Sequence, residues 1–453
     1  MKKITFLLSI LLSVTLFSQS HVWNGSAGDH DWFNATNWDA GTVPTNTSTV
    51  LIEGNGNETV VIDGAAAMAM TIDLPLQSTL TIKSNLTLMG AIQIGENASL
   101  IWQKGTLTGG NIQNNGLFVI EGSDLKDING TNITNFAQLE INNSGVIHIA
   151  GSMTIHNPST GQVIIDSNGG LIEDSGETIF NNEGYVHKLS NGSPGNFYMI
   201  FEMNNAGVIE IGDNQTFLFL VTSQNFNNLP NGILTGTGTF DITATFSNTG
   251  TIAPAGDGST GTLDFVNNFH FIADTTLRID VNSATDYDTL DIFSAPYLEG
   301  NLEVNLLSEL QLEDELTVIT NSNPSTCNLP SQVIATSASA LYTFDVLCTT
   351  NSVILKVTQI EVLSTEEFSQ ESFFRVYPNP TKDYLSFEYA PSLLQDYPQS
   401  KIELFSVLGQ KIASFPVKEL TTQVAISNVP SGVYLALWVS EEQVLATTKL
   451  MVE

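Results

Sequence analysis

Positive charge is what this chain has least of. Against 47 aspartates and glutamates stand 14 lysines and arginines, a net charge of −33 over 453 residues. Between residues 21 and 360 the basic side chains are Lys83, Lys104, Lys126, Lys188, Arg278 and Lys356. Nucleic acid binding needs many cations to neutralise phosphates, so that class of partner is excluded. Anionic polysaccharides are disfavoured by the same repulsion unless divalent ions bridge the like charges. Charge of either sign is scarce, at 13% of residues against ~25% in average domains, which leaves solubility to Asn, Thr, Ser and Gly. With two cysteines the chain is no disulfide-dense scaffold, and their spacing resembles no metal site. Past residue 20 no apolar run approaches the ~20 residues of a membrane span. Catalytic signatures are missing too: there is no G-x-S-x-G elbow, P-loop or dinucleotide fingerprint. His21, His30, His148, His156, His187 and His270 are scattered without metal-ligand spacing.

What is present begins at the N-terminus. Lys2 and Lys3 precede an apolar run from Ile4 to Phe17, and Ser18-Gln19-Ser20 is a small-x-small cleavage site. Residues 1–20 therefore read as a signal peptide, with the mature chain starting at His21. Export permits Cys327 and Cys348 to pair, and a single disulfide is expected, two buried thiols being the alternative.

Residues 50 to 270 carry an internal repeat. Short alternating strands recur at Leu80-Thr81-Ile82, Leu86-Thr87-Leu88, Ile92-Gln93-Ile94 and Leu100-Ile101-Trp102. An Asn-x-Gly turn before a β-branched strand then repeats from Asn114, Asn143, Asn182, Asn205 and Asn248, with irregular gaps that include the ~20–30-residue spacing of a solenoid coil. Gly supplies positive φ at a corner, and the strand sends alternate side chains into a shared core. Asn recurring at one corner can form an amide ladder along the stack. The expected architecture is an all-β, right-handed parallel β-helix; an antiparallel sandwich is the runner-up.

Two flanks add to this. Trp23-Asn24-Gly25, Trp32 and Asn37-Trp38 resemble the start of autotransporter-like and haemagglutinin-like β-helical passengers, and Ile252-Ala253-Pro254-Ala255-Gly256 through Val304 resembles their closing coils, with Ala where a glycine is usual. The resemblance implies an architecture and a cell-surface role, without catalytic residues. Trp23, Trp32 and Trp38 read either as a platform for stacking a sugar or as a cap over the open apolar end, and the cap is favoured because terminal repeats are atypical. Asp286, Asp288 and Asp291 are closely spaced oxygen donors that could take calcium; turn formation and a solvated acidic surface explain them equally. No other cofactor is implied.

The C-terminus holds the most specific pattern. Tyr377-Pro378-Asn379-Pro380 marks an edge or turn, because each proline fixes φ and lacks a donor. Leu408-Gly409-Gln410 reads as a hairpin turn, and Pro430-Ser431-Gly432 as another before a core strand; a last strand contains Lys449. Short strands with turns between them suggest a small Ig-like β-sandwich. The order of these motifs resembles the type A C-terminal sorting domain of proteins exported by the bacterial type IX secretion system. That resemblance makes Tyr377, Pro378, Asn379, Pro380, Gly409, Gly432 and Lys449 the sorting motif. It implies the secretion machinery as partner, a secreted or outer-membrane-surface location in a Gram-negative bacterium, removal of the domain near Ser364 to Ser372, and attachment of the product to lipopolysaccharide.

The divisions are thus a signal peptide (1–20), a β-helical passenger with a Trp-rich cap (21–270), closing coils with the disulfide (271–360), a linker (361–372) and a sorting domain (373–453). The functional expectation is a surface adhesin or scaffold facing a glycan or another cell-surface ligand. The alternative is a polysaccharide lyase or glycoside hydrolase on a β-helix, which would need a base beside a metal or two carboxylates across a cleft. Arg278 is the only arginine before the sorting domain, and no carboxylate pair sits in a motif, so an enzyme is the less favoured reading.

Overall fold

The computed structural model describes residues 19–53, 58–190, 192–220, 224–267, 269, 271–362, 374–389, 397, 399–417, 419, 421–440 and 443–453. Most of the signal segment and of the linker thus lie outside the described residues, as does His270. The chain divides into two compact units, Met1–Val362 and Leu363–Glu453, and both are all-β.

The first unit is a parallel β-solenoid of about 11 turns, each laying one short strand on each of three sheets. Ala91–Ile94, Asn111–Asn114 and Asn132–Asn135 are neighbours on the first sheet. Ser99–Trp102, Leu117–Gly122 and Gln138–Asn143 adjoin on the second, and Gly105–Thr108, Lys126–Asn129 and Val146–Ala150 on the third. Every one of these pairings is parallel, which removes the antiparallel sandwich that short strands also allowed.

Alternation turns every second side chain inward, and parallel register stacks like on like. On the first sheet Val50, Ile72, Ile92, Ile112, Ile133 and Ile155 align, continued by Phe180, Met203, Phe226 and Phe246. All but Phe246 are buried. Each such side chain gives roughly 1.5–3 kcal/mol by leaving water. In the later coils phenylalanines take over the interior, and the Phe219 and Phe226 rings stack at 4.2 Å.

At the corner after the first sheet runs a ladder of seven buried asparagines: Asn114, Asn135, Asn157, Asn182, Asn205, Asn228 and Asn248. The Nδ2 of each donates to the Oδ1 of the next at 2.7–2.8 Å. Two sequence expectations change here. Asn143 is not a rung: it ends a second-sheet strand, where its Oδ1 accepts from Lys126 Nζ at 2.7 Å. The glycines two residues after a rung do not have positive φ. They are required by close approach: a Cβ on Gly116 would lie 2.3 Å from the Gly95 carbonyl oxygen, and one on Gly207 2.1 Å from that of Gly184.

Both ends are covered. At the start Trp23, Trp32 and Trp38 pack edge to face, with Trp38 4.9 and 5.0 Å from its two neighbours. Asn37, fully buried, ties their loops: its Nδ2 donates to Asp29 Oδ1 at 2.6 Å and its Oδ1 accepts from Ala27 N at 2.8 Å. At the far end parallel pairing continues past residue 270 through Thr276–Ser283 with Asn301–Leu306, and Thr289–Ile292 with Glu315–Asn321. The antiparallel strands Gln332–Thr336, Ala340–Cys348 and Ser352–Val362 then extend the third sheet. Cys327 and Cys348 are joined in a disulfide that ties this end together.

The second unit has a three-stranded sheet (Phe374–Tyr377, Tyr384–Tyr389, Thr421–Ala425) and a four-stranded one (Lys401–Ser406, Lys411–Pro416, Gly432–Ser440, Gln443–Val452), both antiparallel. Leu385 and Phe387 from one sheet meet Ile402, Leu404, Trp438 and Leu450 from the other in a single core.

Replacing a middle rung tests the ladder. Asn182→Ala removes two ladder bonds, the one Asn157 Nδ2 donates to it and the one it donates to Asn205 Oδ1, and breaks the buried column, so urea unfolding is expected to show a loss of about 2–4 kcal/mol. Asn181→Ala, on the outer face of the same strand, is expected to cost about 0.5 kcal/mol or less.

Candidate functional site

The glycine column that brings the coils together also marks a corner of the surface. Gly95, Ala98, Gly116, Ala137 and Gly161 follow one another along the corner between the first and second sheets. Along that corner the stack carries a groove of about 700 Å³ over four coils. Its walls are polar: Glu96, Asn97, Ser99, Asn115, Gln138, Glu140, Thr160 and Gln162, with Leu117 the one large apolar side chain. Glu140 is held by its neighbours, Oε1 accepting from Gln138 Nε2 at 2.7 Å and Oε2 from Asn142 Nδ2 at 3.2 Å. The side-chain amides of Asn97, Asn115 and Gln162 take no partner among the described residues. Such a surface offers donors and acceptors in one line with little charge, which suits hydroxylated ligands. Sequence reasoning missed it, because no motif marks residues that only converge through coil register.

The three tryptophans come together, but not as a platform. Their exposures are 1%, 0% and 2%, so no ring face is open to a sugar, and the rings are spent on one another. The three aspartates do not converge. Asp286 accepts from Thr260 and Asn282, and Asp291 from Thr320 Oγ1 at 2.6 Å. Asp288 is buried, accepting from Gly261 N and Asp280 N, each at 2.9 Å. Asp286 and Asp288 thus bond adjacent residues of one loop while Asp291 bonds a neighbouring strand, and among the described residues no three acidic, histidine or cysteine side chains gather as a metal would require.

Asp288 instead braces the loop that follows Pro254. Buried beside it, Asp280 accepts from Gly258 N and from Asn305 Nδ2. Burial pushes the Asp288 carboxyl up to about 7, reinforced by the Asp280 charge and opposed by its two backbone donors and by Arg278.

In the C-terminal unit the predicted tract and the last strand meet. Tyr377-Pro378 and Asn379-Pro380 are both cis. Neither proline can donate from its backbone. The Asn379 side chain supplies the missing pairing: Nδ2 donates to the Lys449 carbonyl at 2.6 Å, and Oδ1 accepts from Met451 N at 2.8 Å. Backbone bonds from Thr381 N to Met451 O and from Glu453 N to Thr381 O continue the latch. Gly409 turns the hairpin at φ +80°, where a side chain would be strained, while Gly432 opens the strand paired to Val452. Tyr377 is exposed beside the latch.

Residues 375–453 match the family model of the secretion system C-terminal sorting domain. The chain carries a type IX sorting domain. This sorting domain implies interaction with the type IX secretion machinery and a secreted or outer-membrane-surface location. Residues 22–124, from the tryptophan cap into the groove's second coil, match a domain of unknown function (DUF8693). No curated protein matches the chain.

Two outcomes are expected. Unfolded, Asp288 titrates near its ordinary 3.8, so the folded closing coils bind a proton that the unfolded chain releases. Its stabilising contribution is complete below that value and is lost as pH rises through about 7. Hydrogen exchange at the Gly258 and Gly261 amides should therefore quicken between pH 5 and about pH 8 beyond its intrinsic dependence, and Asp288→Asn should flatten that excess. In the sorting domain, Asn379→Ala leaves a strand carbonyl and amide unpaired. It should destabilise the domain by about 1–3 kcal/mol and reduce the surface-displayed fraction, read by protease shaving of intact cells.

Proposed function

We propose that this protein is a surface adhesin: a β-solenoid exported by its sorting domain, which is then removed, leaving the solenoid on lipopolysaccharide to hold glycans of other cells or surfaces. The observation that carries this reading is the corner groove, a line of amides, hydroxyls and one braced carboxylate spanning four coils. Its length suits a chain-like ligand, and its unpartnered amides can exchange water for sugar hydroxyls at little cost. The resemblance of the tryptophan-rich start to haemagglutinin-like passengers supports the same role. Net acidity favours an uncharged glycan over a uronate or sulfated one.

The mature protein, residues 21–362, is expected to bind uncharged oligosaccharides on a glycan array with an affinity insensitive to salt between about 50 and 500 mM. Release of reducing or unsaturated sugars from a polysaccharide panel would replace the adhesin with a polysaccharide-acting enzyme. Failure to bind any glycan, with no product released, would leave neither.

A further inference from the structure

One coil beyond the last residues that line the groove, Thr160 and Gln162, stands an aromatic ring. Coil register aligns Ser99, Leu117, Gln138, Gln162 and then Tyr185 in one outward column of the second sheet, where Tyr185 is the only aromatic. The adjacent outward column runs Glu140, Ile164, His187, Glu210. Neighbouring coils lie ~4.8 Å apart, so the Tyr185 ring stands one coil beyond Gln162 and about 10 Å along the stack from the level of Glu140.

We propose that Tyr185 is the stacking platform of a subsite for an uncharged sugar ring one coil beyond this end of the groove, with Gln162 and Glu210 taking its hydroxyls. The inference rests on the glycan-binding reading and assigns it residues.

Three observations support it. The ring is half-buried and fixed: its hydroxyl donates to the Glu210 carboxylate, and the His187 ring lies 5.5 Å away at 55°. Burial, then the bond to Glu210, holds that hydroxyl protonated well above its ordinary range, so it remains a donor. A side chain already immobilised loses little entropy when a ligand docks. The surroundings also match the chemistry of a pyranose. An aromatic face accepts the apolar C–H side of the ring, while Gln162 and the Glu210 carboxylate face its polar rim. Finally, the charge is of one sign. Glu210 adjoins the platform, and Glu140 and Glu96 lie further down the groove, so sugars carrying carboxylates or sulfates meet repulsion.

The test uses the mature chain and a panel of uncharged hexasaccharides (cellohexaose, xylohexaose, mannohexaose, laminarihexaose) in titration calorimetry. Variants are first checked for unchanged melting, which is expected because all the replaced side chains face outward. Wild type should bind at least one probe. Tyr185→Ala should weaken it about tenfold, the equivalent of one lost aromatic stack, while Tyr185→Phe stays within about threefold. Gln162→Ala should weaken binding by about three- to tenfold. If wild type binds but Tyr185→Ala binds equally well, the subsite is wrong and the adhesin reading stands. Equal losses in Tyr185→Phe and Tyr185→Ala would overturn the stacking role in favour of the hydroxyl. If wild type binds none of these probes and no glycan on the array, both proposals fall; binding confined to other, charged glycans would overturn the subsite alone.

Discussion

The solenoid depends on what can be repeated at a corner every ~4.8 Å. In a parallel stack each corner residue meets copies of itself above and below. A charge there would repel itself, and an apolar side chain would leave the turn's amides without partners. Asparagine solves both, since its Oδ1 and Nδ2 give one acceptor and one donor along the axis. The same Oδ1 also reaches the turn: that of Asn114 accepts from Gly116 N at 3.1 Å, and that of Asn248 from Gly250 N at 3.1 Å. Amide bonds of this length need tight coil contact, and the glycines permit it by leaving no Cβ between carbonyl oxygens. The groove runs along this same corner, so the ladder, the close coil contact and the candidate site share one line of the stack.

A ladder must end, and its ends are built differently. Below Asn114 the position is taken by Ile94 and Leu74, so the chain enters the polar column from an apolar one. Above Asn248 its buried Nδ2 has no partner among the described residues, and the coil beyond brings the buried Phe269 and Phe271 to the interior. The stack's own ends show the same asymmetry. The first coil is sealed by indoles, with Asp29 held near its lowest protonation range, about 2, by Asn34 and Asn37. The last is sealed by antiparallel strands and a covalent link.

Much of this was legible in the sequence, for physical reasons. Short alternating strands at coil spacing report a solenoid because register repeats force the pattern into the chain, and Tyr377-Pro378-Asn379-Pro380 is legible because two prolines around an asparagine leave only the side chain to pair. The ladder was half legible. Asn135 precedes Phe136-Ala137 with no glycine, and Asn157 and Asn228 reach theirs only after four residues, so an Asn-x-Gly reading passes over them and admits Asn143. Spacing alone cannot say whether a turn closes one sheet or another. The tryptophans and aspartates were ambiguous for a related reason: a platform differs from a cap, and a metal site from three loop braces, only in which way side chains face. The groove was illegible, since Leu117, Gln138 and Gln162 are neighbours only through the register of three separate coils.

Charge is partitioned along the chain. Six of the 14 basic residues fall in the last 81 positions, where they stand against eight acidic ones, so the segment read by the secretion machinery is close to neutral. The solenoid is the acidic part, and its acidity is accentuated because Lys126 and Lys188 are buried against amides, their ammonium groups made easier to deprotonate by burial. An acidic solenoid on an outer surface is repelled by other anionic polymers at long range and gains little from steering, so any grip must come from short-range contacts. Single sugar contacts are weak. A stack that repeats polar positions every coil can engage successive residues of one polymer, where each further contact is intramolecular and the combined affinity exceeds that of any subsite. That is what a repeat would add, over a single pocket, to the adhesion proposed above.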